Sequence, residues 1–367
     1  MSSHVDEILQ SACFSKSEIM ELLCAQGEEQ KKLFAFASQI KQKHIGNNVY
    51  FRGLIEYSNH CAKDCLYCGI RRSNKNVNRY SMTDMEVLEA VRYAHEENYA
   101  SLVLQSGEID TPFFTDKITA LLLEIGKATQ HSMGITLSMG EQRMETLRAW
   151  KNAGARRYLL RIETSNPDLY KKIHPQNQLH DFYRRLDTLR SLREAGYQTG
   201  TGVMIGLPFQ TIEDMAEDLL FFQDLDVDMV GMGPYIEHKD TPLYQYKDSL
   251  LPLTERFNLT LKMIAVLRIM MKDINIVAST AMQTMDKMGR EKALIVGANI
   301  IMPNLTPRKY RGSYLLYENK PCIDEEAHQC KNCLQARMHL IGCKIGYGEW
   351  GDSKHFKRRT INQKNES

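Results

Sequence analysis

The chain alternates between short apolar runs and longer amphipathic stretches. The short runs are rich in β-branched residues and are spaced as β–α units are, which predicts a parallel sheet. Eight runs are predicted to be strands: Val49–Tyr57, Ser101–Gln105, Ile135–Met139, Arg157–Glu163, Thr199–Gly206, Asp228–Gly233, Asn275–Ser279 and Asn299–Met302. Apolar residues recur at helical spacing between them, in Met85–Glu96, Gln142–Asn152, Phe182–Glu194, Ile212–Gln223, Leu259–Met271 and Arg290–Ile295.

Eight successive β–α units predict an α/β fold, a complete (β/α)8 TIM-type barrel with N-terminal helical and C-terminal extensions. An open, doubly wound parallel sheet is the alternative. Residues 1–48 are assigned to the N-terminal helical extension and residues 49–305 to the barrel. Residues 306–367 are assigned to a C-terminal extension that closes the barrel. The length of 367 residues accommodates this arrangement, because such a barrel takes about 250 residues.

Composition and charge narrow the function classes. Hydrophobic residues make up 43% of the chain and charged residues 25%, which is typical of a soluble protein. The formal net charge of +2 gives no electrostatic signature of nucleic-acid binding. No apolar run reaches the roughly 20 residues of a membrane span, and no secretory signal is visible. We therefore expect a cytoplasmic monomer that binds neither nucleic acid nor membranes, and we interpret the basic stretch 354–359 as a solvated tail.

Nine cysteines in a chain of this length indicate metal or redox chemistry rather than a disulfide framework. Cys61, Cys65 and Cys68 have a C-x3-C-x2-C spacing directly after the first predicted strand, on the face where barrel enzymes carry their chemistry. Thiolates favour iron–sulfur clusters or zinc, and three of them leave one iron of a four-iron cluster without a protein ligand. The alternatives are a zinc site, which needs a fourth ligand and has His60 beside it, and three unrelated buried thiols.

Polar and glycine-containing motifs follow several of the predicted strands. Leu104–Glu108 ends the second strand, and its Gly107 permits close backbone approach. Arg161 and Glu163 are two residues apart and therefore face the same side of the fourth strand. A charged pair at a barrel mouth is costly unless something binds it. Glycines inside Gly200–Pro208 weaken that strand unless a ligand or another backbone comes close.

The cysteine spacing, with Tyr67 directly before the last cysteine, resembles the radical S-adenosylmethionine (SAM) superfamily. The resemblance implies a four-iron cluster whose open iron binds the amino and carboxylate groups of SAM. An electron from the cluster then cleaves SAM to a 5′-deoxyadenosyl radical. The resemblance further implies SAM contacts from ten residues around the strand ends: Tyr67, Gln105, Ser106, Gly107, Glu108, Ser138, Arg161, Glu163, Arg185 and Met232.

Roles within this set also come from the resemblance. In the superfamily, a Gly-Glu element after the second strand receives the methionine amino group, and a glutamate on the fourth strand contacts the ribose. Arg161 is expected to bind the SAM carboxylate or another anion, and Arg185 to bind the SAM carboxylate. Met232 is expected to contact the adenine. A surface salt bridge is the alternative for Arg185, because Arg184 and Arg190 lie close in sequence.

A closer resemblance, over roughly residues 45–335, is to the HydE family of FeFe-hydrogenase maturases. It is carried by Asn59–Asn76, Leu104–Glu108, Arg157–Pro167, Gly200–Pro208, Asp228–Pro234, Ser279–Met282, Asn299–Asn304 and Tyr310–Tyr317. It implies action on a small iron–cysteine carbonyl/cyanide complex from a partner maturase, whose cysteine sulfur the adenosyl radical attacks during assembly of the hydrogenase di-iron site. A scaffold maturase and a flavodoxin- or ferredoxin-type reductant are further implied partners.

The same resemblance implies five residues that line an inner cavity: Ser279, Thr280, Met302, Tyr314 and Tyr317. Thr280 is expected to hold anionic ligands through hydrogen bonds, and Tyr317 to position or screen the radical intermediate. An aromatic cap of Tyr310, Tyr314 and Tyr317 that closes the barrel is the alternative, and both interpretations are compatible.

Cys322, Cys330 and Cys333 form a second triad after the last predicted strand. Some members of the resembling family carry an accessory cluster at these positions. The resemblance therefore implies a second cluster, [2Fe–2S] or [4Fe–4S], with Cys343 as a candidate fourth ligand. Zinc and a site that binds nothing remain alternatives.

Other functions are weighed against this one. A methylornithine synthase-like radical SAM mutase, which rearranges lysine, is the alternative function; the second triad favours the maturase, because we do not expect it in the mutase. Biotin synthase is more distant, since its sulfur-donating cluster needs strand cysteines and predicted strands two to seven contain none. A cluster-carrying scaffold needs only metal ligands, and the motifs at several strand ends argue against it.

Overall fold

The computed structural model describes residues 4–11 and 13–366, except for the side chains of Cys330 and residues 363–366. Its strands are β1 Asn48–Phe51, β2 Gly53–Ser58, β3 Ser101–Ser106, β4 Gly134–Ser138, β5 Ala155–Leu159, β6 Gln198–Thr201, β7 Met204–Ile205, β8 Met229–Val230, β9 Gly233–Pro234, β10 Asn275–Ile276, β11 Ile300–Ile301 and β12 Lys344–Ile345. Its α-helices are α1 His4–Leu9, α2 Lys16–Cys24, α3 Gly27–His44, α4 Asp84–Glu96, α5 Pro112–Ala128, α6 Met144–Asn152, α7 Pro167–Ile173, α8 Phe182–Glu194, α9 Ile212–Asp224, α10 Leu253–Met270, α11 Thr280–Met285, α12 Gly289–Val296, α13 Arg308–Arg311, α14 Ala327–Leu340 and α15 Lys354–Glu366. Two 3₁₀ helices span Gln178–His180 and Pro242–Ser249. None of the helices described is long and apolar enough to cross a lipid bilayer.

A curled parallel sheet of seven strands forms the centre of the fold, in the order β2, β3, β4, β5, β6, β8 and β10. This order follows the chain, without the reversal that defines a doubly wound sheet. Every residue of β2 is buried, as expected for a parallel strand covered on both faces. The α/β class predicted from the sequence is therefore confirmed.

Both edges of this sheet are hydrogen-bonded to the region of β11. On one edge, the backbone N of Leu54 donates to the oxygen of Pro303 at 2.7 Å. On the other, the N of Ala278 donates to the oxygen of Ile300 at 2.9 Å. The strand that comes last in the predicted set of eight is thus bonded to the first and the seventh.

Three of the predicted strands are interrupted in the structure. Val49–Tyr57 is divided into β1 and β2, Thr199–Gly206 into β6 and β7, and Asp228–Gly233 into β8 and β9. At the last two interruptions, the backbones of Gly202 and Gly231 come so close that a Cβ on Gly202 would collide with the Gly231 oxygen. The glycines in this region serve the approach of one backbone to another, which agrees with the sequence argument.

The helices cover the outside of the sheet. α4 begins with the capping box that the sequence predicts, since the N of Glu86 donates to Thr83 Oγ1 at 3.3 Å and the N of Thr83 donates to Glu86 Oε2 at 2.8 Å. α2 and α3 of the N-terminal extension pack against α9 and α10. Crossover helix α5, between β3 and β4, was not among the helical stretches predicted from the sequence.

The interpretation of 354–359 as a solvated tail was wrong. These residues begin α15, which is docked onto the loop before β8 by ion pairs. Arg359 Nη2 lies 2.8 Å from Asp228 Oδ2, and His355 Nε2 lies 2.6 Å from Asp226 Oδ1. Burial raises the pKa of Asp228, and Arg359 partly offsets this effect. The basic residues here neutralise the acidic residues of the loop between α9 and β8.

Residues 306–322, here called the strap, connect the barrel region to the second cysteine triad. Buried Arg311 donates to four carbonyl oxygens at 2.5–3.1 Å: those of Thr306, Asn304, Cys322 and Glu325. Lys320 forms a buried ion pair with Glu56 of β2. Further along, β12 pairs in parallel with β1. The C-terminal extension is therefore bonded to the interior and to the edge of the sheet.

Candidate active site

The first cysteine triad lies on a loop directly after β2 that is tied to other elements by backbone hydrogen bonds. The N of Ala62 donates to the oxygen of Glu108 at 2.8 Å, and the N of Leu66 donates to the oxygen of Ile173 at 3.1 Å. The N of Gly69 donates to Leu316 of the strap at 2.9 Å. The loop thus has a fixed course before any metal binds.

The three thiols of this loop are in a poorly solvated place. Cys65 is buried, while Cys61 and Cys68 are half-buried. Burial raises the pKa of Cys65 to about 12 and the pKa of Cys68 well above its usual value. A thiolate is unfavourable there unless metal cations compensate its charge, so the pocket is suited to a metal-bound thiolate.

No three histidine, cysteine, aspartate or glutamate side chains within the described ranges converge as ligands of a single metal ion. A zinc ion needs such convergence. A four-iron cluster does not, because each thiolate binds a different iron. The donor set of Cys61, Cys65 and Cys68 therefore fits a cluster, with three thiolates and one iron free for another ligand.

The end of β3 is pressed against the cysteine loop. The N of Gly107 donates to the oxygen of Ser58 at 2.9 Å, and a Cβ on Gly107 would collide with the His60 oxygen. The N of Glu108 lies 3.3 Å from Cys61 Sγ, in position to donate a hydrogen bond to it. Glycine is required at 107 because the two backbones touch.

A buried charge network surrounds this contact. Lys63 Nζ lies 3.1 Å from Glu108 Oε1 and 3.0 Å from Glu141 Oε2. Arg185 Nε lies 3.0 Å from Glu141 Oε1, and its Nη2 lies 3.5 Å from Glu108 Oε2. Two cations and two carboxylates thus compensate each other inside the protein, as buried charges must. Arg185 is buried, so the surface role considered from the sequence does not apply to it.

The pKa values of Glu108 and Arg185 in this network are shifted by burial and by neighbouring charges. Burial raises the pKa of Glu108, and the carboxylate of Glu141 raises it further. Burial by itself would lower the pKa of Arg185, but Tyr170, Glu141 and Glu108 outweigh it, and the Arg185 pKa lies well above its usual value. The guanidinium is therefore charged at every relevant pH.

Lys63 and Glu141 were missed in the sequence analysis, although both carried a signal. Lys63 lies inside the cysteine motif itself. Glu141 follows Gly140 after β4, just as Glu108 follows Gly107 after β3. Gly140 has a left-handed φ of 75°, and a Cβ on it would collide with the side chain of Glu108. The repeated Gly-Glu pair at two adjacent strand ends predicts two carboxylates at one place.

Arg161 and Glu163 follow β5 and lie side by side, as predicted. Arg161 Nη2 lies 2.9 Å from Glu163 Oε2. Glu163 is buried and has a φ of 70°, which is strained for a residue with a side chain. Burial raises the pKa of Glu163, an effect that Arg161 and Arg185 oppose. Arg161 Nε is buried and has no hydrogen-bond partner among the described residues, which is a feature of a polar site prepared for a ligand.

The remaining predicted SAM contacts occupy neighbouring strand ends. Tyr67 Oη lies 3.3 Å from His174 Nε2. Gln105 and Ser138 are opposite each other across β3 and β4. Ser106 Oγ donates to the oxygen of Gly107 at 2.8 Å. Met232 is fully buried between β8 and β9 and is part of the main hydrophobic core.

The predicted cavity residues lie on three parts of the fold. Ser279 and Thr280 are at the start of α11, and Met302 follows β11. Tyr314 and Tyr317 are on the strap. Burial raises the pKa of both phenols, and the carboxylate of Glu56 raises each further.

Glu56 and Lys320 also belong to this region and were missed from the sequence. Besides its ion pair with Lys320, Glu56 accepts a hydrogen bond from Asn304 Nδ2 at 3.3 Å. Lys320 donates to the oxygen of Tyr314 at 2.9 Å and lies over its ring, 5.3 Å from the centroid. No local pattern connects these two residues, which are 264 positions apart.

Tyr310 is outside this group. Its ring stacks on Tyr80 with centroids 4.5 Å apart, and its hydroxyl donates to Glu86 Oε1 of α4 at 2.9 Å. An aromatic cap made of all three tyrosines is therefore wrong for Tyr310, which packs on the outer helix.

The second triad is less enclosed than the first. Cys322 is half-buried at the end of the strap, with a left-handed φ of 63°. Cys333 is exposed on α14, and the side chain of Cys330 lies outside the described residues. Cys343 follows α14 and is half-buried.

A parallel β–α fold, a loop of three enclosed thiols after its first strand, and polar groups at successive strand ends define a radical SAM enzyme. The Radical SAM superfamily model matches residues 55–222. The [FeFe] hydrogenase maturase subunit HydE of Thermotoga maritima is 47% identical over 322 residues, which are 88% of each chain. The chain therefore belongs to the HydE family. Membership implies a four-iron cluster and SAM as cofactors.

More distant similarities agree on the fold. The 3-methylornithine synthase of Methanosarcina acetivorans is 27% identical over 300 residues, 81% of each chain. The crystal structure of methylornithine synthase (PylB) has a TM-score of 0.77 at 23% identity, covering 94% of this chain and 97% of that one. The FeFe-hydrogenase maturase HydG from Carboxydothermus hydrogenoformans has a TM-score of 0.76 at 19% identity, covering 94% of this chain and 78% of that one. At these identities, the two structures show a shared fold alone.

Proposed function

We propose that this enzyme acts in maturation of the FeFe-hydrogenase active site, on a small iron–cysteine carbonyl/cyanide complex. The observation that carries the proposal is the 47% identity to the Thermotoga maritima maturase across 88% of both chains. A methylornithine synthase-like activity has less support, because the curated synthase is 27% identical.

Cys61, Cys65 and Cys68 hold the four-iron cluster in this proposal. When bound, the cluster supplies the electron that cleaves SAM to a 5′-deoxyadenosyl radical. The protein's part is to bind and orient SAM and to exclude water. The enclosed thiols, the bond from the N of Glu108 to Cys61 Sγ and the close contact at Gly107 support this assignment.

SAM is proposed to lie across the ends of β3 to β9. The Gly107–Glu108 element receives the amino group of SAM, and Glu163 receives the ribose hydroxyls. Arg161 and Arg185 bind the carboxylate, for which the unpartnered Arg161 Nε provides a donor. The other proposed contacts are Tyr67, Gln105, Ser106, Ser138 and Met232.

The substrate is proposed to occupy the cavity between α11 and the strap. Ser279, Thr280, Met302, Tyr314 and Tyr317 line it, and Tyr317 shields the radical from solvent. The position of the strap supports this proposal. Lys320 joins the strap to Glu56 of β2, and Arg311 donates hydrogen bonds to carbonyl groups of the strap itself.

The finer architecture is proposed as well. The seven-stranded sheet and β11 form a complete (β/α)8 barrel over residues 49–305, which the bonds from Leu54 and Ala278 support. Residues 1–48 extend it at the N-terminus, and residues 306–367 extend it at the C-terminus and close the cavity. Cytoplasmic location and a monomeric state complete this picture.

Cys322, Cys330 and Cys333 are proposed to hold an accessory [2Fe–2S] or [4Fe–4S] cluster. The left-handed φ of Cys322 at the strap end supports a turn shaped for ligation. A partner maturase supplies the substrate, a scaffold maturase receives the product, and a flavodoxin- or ferredoxin-type protein supplies the electron.

The test has two measurements on the anaerobically reconstituted full chain. Electron paramagnetic resonance after dithionite reduction should show a four-iron signal that shifts when SAM is added, together with release of 5′-deoxyadenosine. The Cys65→Ser variant should lose both, and Cys24→Ser, an exposed cysteine elsewhere, should lose neither. Adding the protein to hydrogenase maturation reactions that lack the HydE component should restore hydrogenase activity. SAM cleavage without restored activity would overturn the proposed substrate.

A further inference from the structure

Arg290 differs from the other buried arginines. The structure describes seven buried arginines, Arg52, Arg157, Arg185, Arg256, Arg268, Arg290 and Arg311. Each of the other six donates at least one hydrogen bond within the protein. Arg290 is 3% exposed, and its guanidinium has no hydrogen bond or ion pair with any described residue. A buried charge without a partner is strongly unfavourable, so this position needs a compensating anion.

The position of Arg290 is fixed by the contact between α11 and α12. A Cβ on Gly289, the first residue of α12, would collide with the backbone oxygen of Met282 in α11. The two helices are therefore in contact at the residue directly before Arg290. Burial raises the pKa of Tyr317, and Thr284 of α11 and the charge of Arg290 oppose this effect. Through the contact between α12 and α11, Arg290 lies against the helix whose start carries the proposed cavity residues Ser279 and Thr280.

Two other buried polar atoms without a partner among the described residues belong to α11 and its N-cap, the helix that α12 contacts. Ser279 is the N-cap of α11, a place where a serine hydroxyl ordinarily accepts a backbone hydrogen bond, yet it makes no such cap. Its Oγ is buried and has no partner among the described residues. The same holds for Gln283 Oε1. Gly233 leaves the space for this hydroxyl, because a Cβ there would collide with Ser279 Oγ.

We infer that Arg290 and Ser279 form a subsite for a carboxylate group on the substrate. A guanidinium matches a carboxylate with two parallel hydrogen bonds, and the serine hydroxyl can donate a third. This inference rests on the proposed function, since the cysteine of the iron–cysteine complex carries such a carboxylate. Arg290 would orient that cysteine so that its sulfur faces the cluster side of the cavity.

The test is a binding experiment that needs no reductant and no radical. S-methyl-L-cysteine and 2-(methylthio)ethylamine differ only by the carboxylate. Titration calorimetry on the full chain should show at least tenfold tighter binding of the amino acid. Arg290→Met should abolish this preference, and Arg290→Lys should retain part of it. Lys292→Met, which removes an exposed cation from the same helix, should leave it unchanged.

Stability distinguishes a binding role from a structural one. Arg290→Met should unfold at the same temperature as the wild type or higher, because it removes an unpaired buried charge. Arg311→Met should unfold at a lower temperature, because it leaves carbonyl groups without their donor. Equal binding of the two probes by the wild type, or a loss of stability in Arg290→Met as large as in Arg311→Met, would overturn the inference. If the carboxylate preference depends on Arg290 but hydrogenase maturation is not restored, the proposed function fails and the subsite remains.

Discussion

The two cysteine triads differ in how much of the surrounding chain holds them in place. Cys61, Cys65 and Cys68 lie within eight residues on one loop, and that loop is hydrogen-bonded to the end of β3, to α7 and to the strap. Cys322 and Cys333 lie on two different elements, and Cys333 is exposed. The first triad lies on one loop that the fold holds in place, while the described cysteines of the second triad lie on separate elements, so in the proposed accessory cluster the metal itself would bring them together. Central chemistry is expected where the protein has already fixed its ligands.

The largest expected effect comes from removing one ligand of each triad. Cys65→Ser should abolish the four-iron signal and lower 5′-deoxyadenosine formation by about 1,000-fold or more. Cys333→Ser should change that rate by less than about tenfold, because Cys333 lies on α14, outside the residues proposed to hold the first cluster and SAM. Both rates are measured by chromatography of 5′-deoxyadenosine under dithionite. Equal losses in the two variants would show that the triads act as one unit.

A second comparison removes a lysine near each triad. Lys63→Met removes one of the two buried cations that Glu108 and Glu141 share and leaves two carboxylates with Arg185 alone between them, so we expect a loss of about 3 kcal/mol in the free energy of unfolding. Lys331→Met removes a partly exposed ion pair with Glu97 and should cost about 0–1 kcal/mol. Urea unfolding of the cluster-free proteins measures both. A loss below about 1 kcal/mol in Lys63→Met would contradict the view of a preorganised first site.

The hydrogen-bonded region around the first site includes Ser165, two residues after Glu163, and its partner Asp218. The pH dependence of protein stability tests the role of this pair. The N and Oγ of Ser165 donate to Asp218 Oδ1 at 2.6 and 2.7 Å. Burial raises the pKa of Asp218 to about 7, although the hydrogen bonds from Ser165 lower it. Because the folded state keeps a proton that the unfolded state loses near pH 4, the free energy of unfolding should fall as the pH rises from about 4 to about 7, by about 3 kcal/mol.

Asp218→Asn keeps an acceptor for Ser165 but cannot titrate. Its unfolding free energy should therefore vary less between pH 5 and pH 8 than that of the wild type, measured by urea unfolding in the two buffers. An identical pH dependence in both proteins would exclude Asp218 as its source.

The smallest expected effect is on catalysis after mild chelation. An iron chelator at low concentration should remove metal from the proposed accessory cluster first, since Cys333 is exposed while Cys65 of the first triad is buried. Iron content should fall while the SAM-shifted four-iron signal and the initial rate of 5′-deoxyadenosine formation stay constant. A parallel loss of iron and rate would mean that the two sites are equally accessible.

The same contrast explains what the sequence could predict. The first triad and the strand-end motifs are local patterns, so their grouping on one face follows from the order of β–α units. The partners of these groups are not local. Lys63 meets Glu141, and Glu56 meets Lys320, through packing of segments far apart in the chain.

Two errors of the sequence analysis have the same origin. The strand interruptions near Gly202 and Gly231 depend on contact between two backbones, which neither segment reveals alone. The basic residues of α15 look like a tail until Asp226 and Asp228 are found opposite them. Charge patterning along the chain shows which residues need a partner but not where the partner is.

The ion pair between Glu56 and Lys320 has a consequence for the order of events during synthesis. The two residues are 264 positions apart. At ribosomal rates of about 5–20 residues per second, Lys320 leaves the ribosome roughly 13 to 50 seconds after Glu56. During that interval the cysteine loop already exists, while the strap that covers the cavity does not. Cys61, Cys65 and Cys68 are therefore synthesised well before the strap that is hydrogen-bonded to their loop can fold against them.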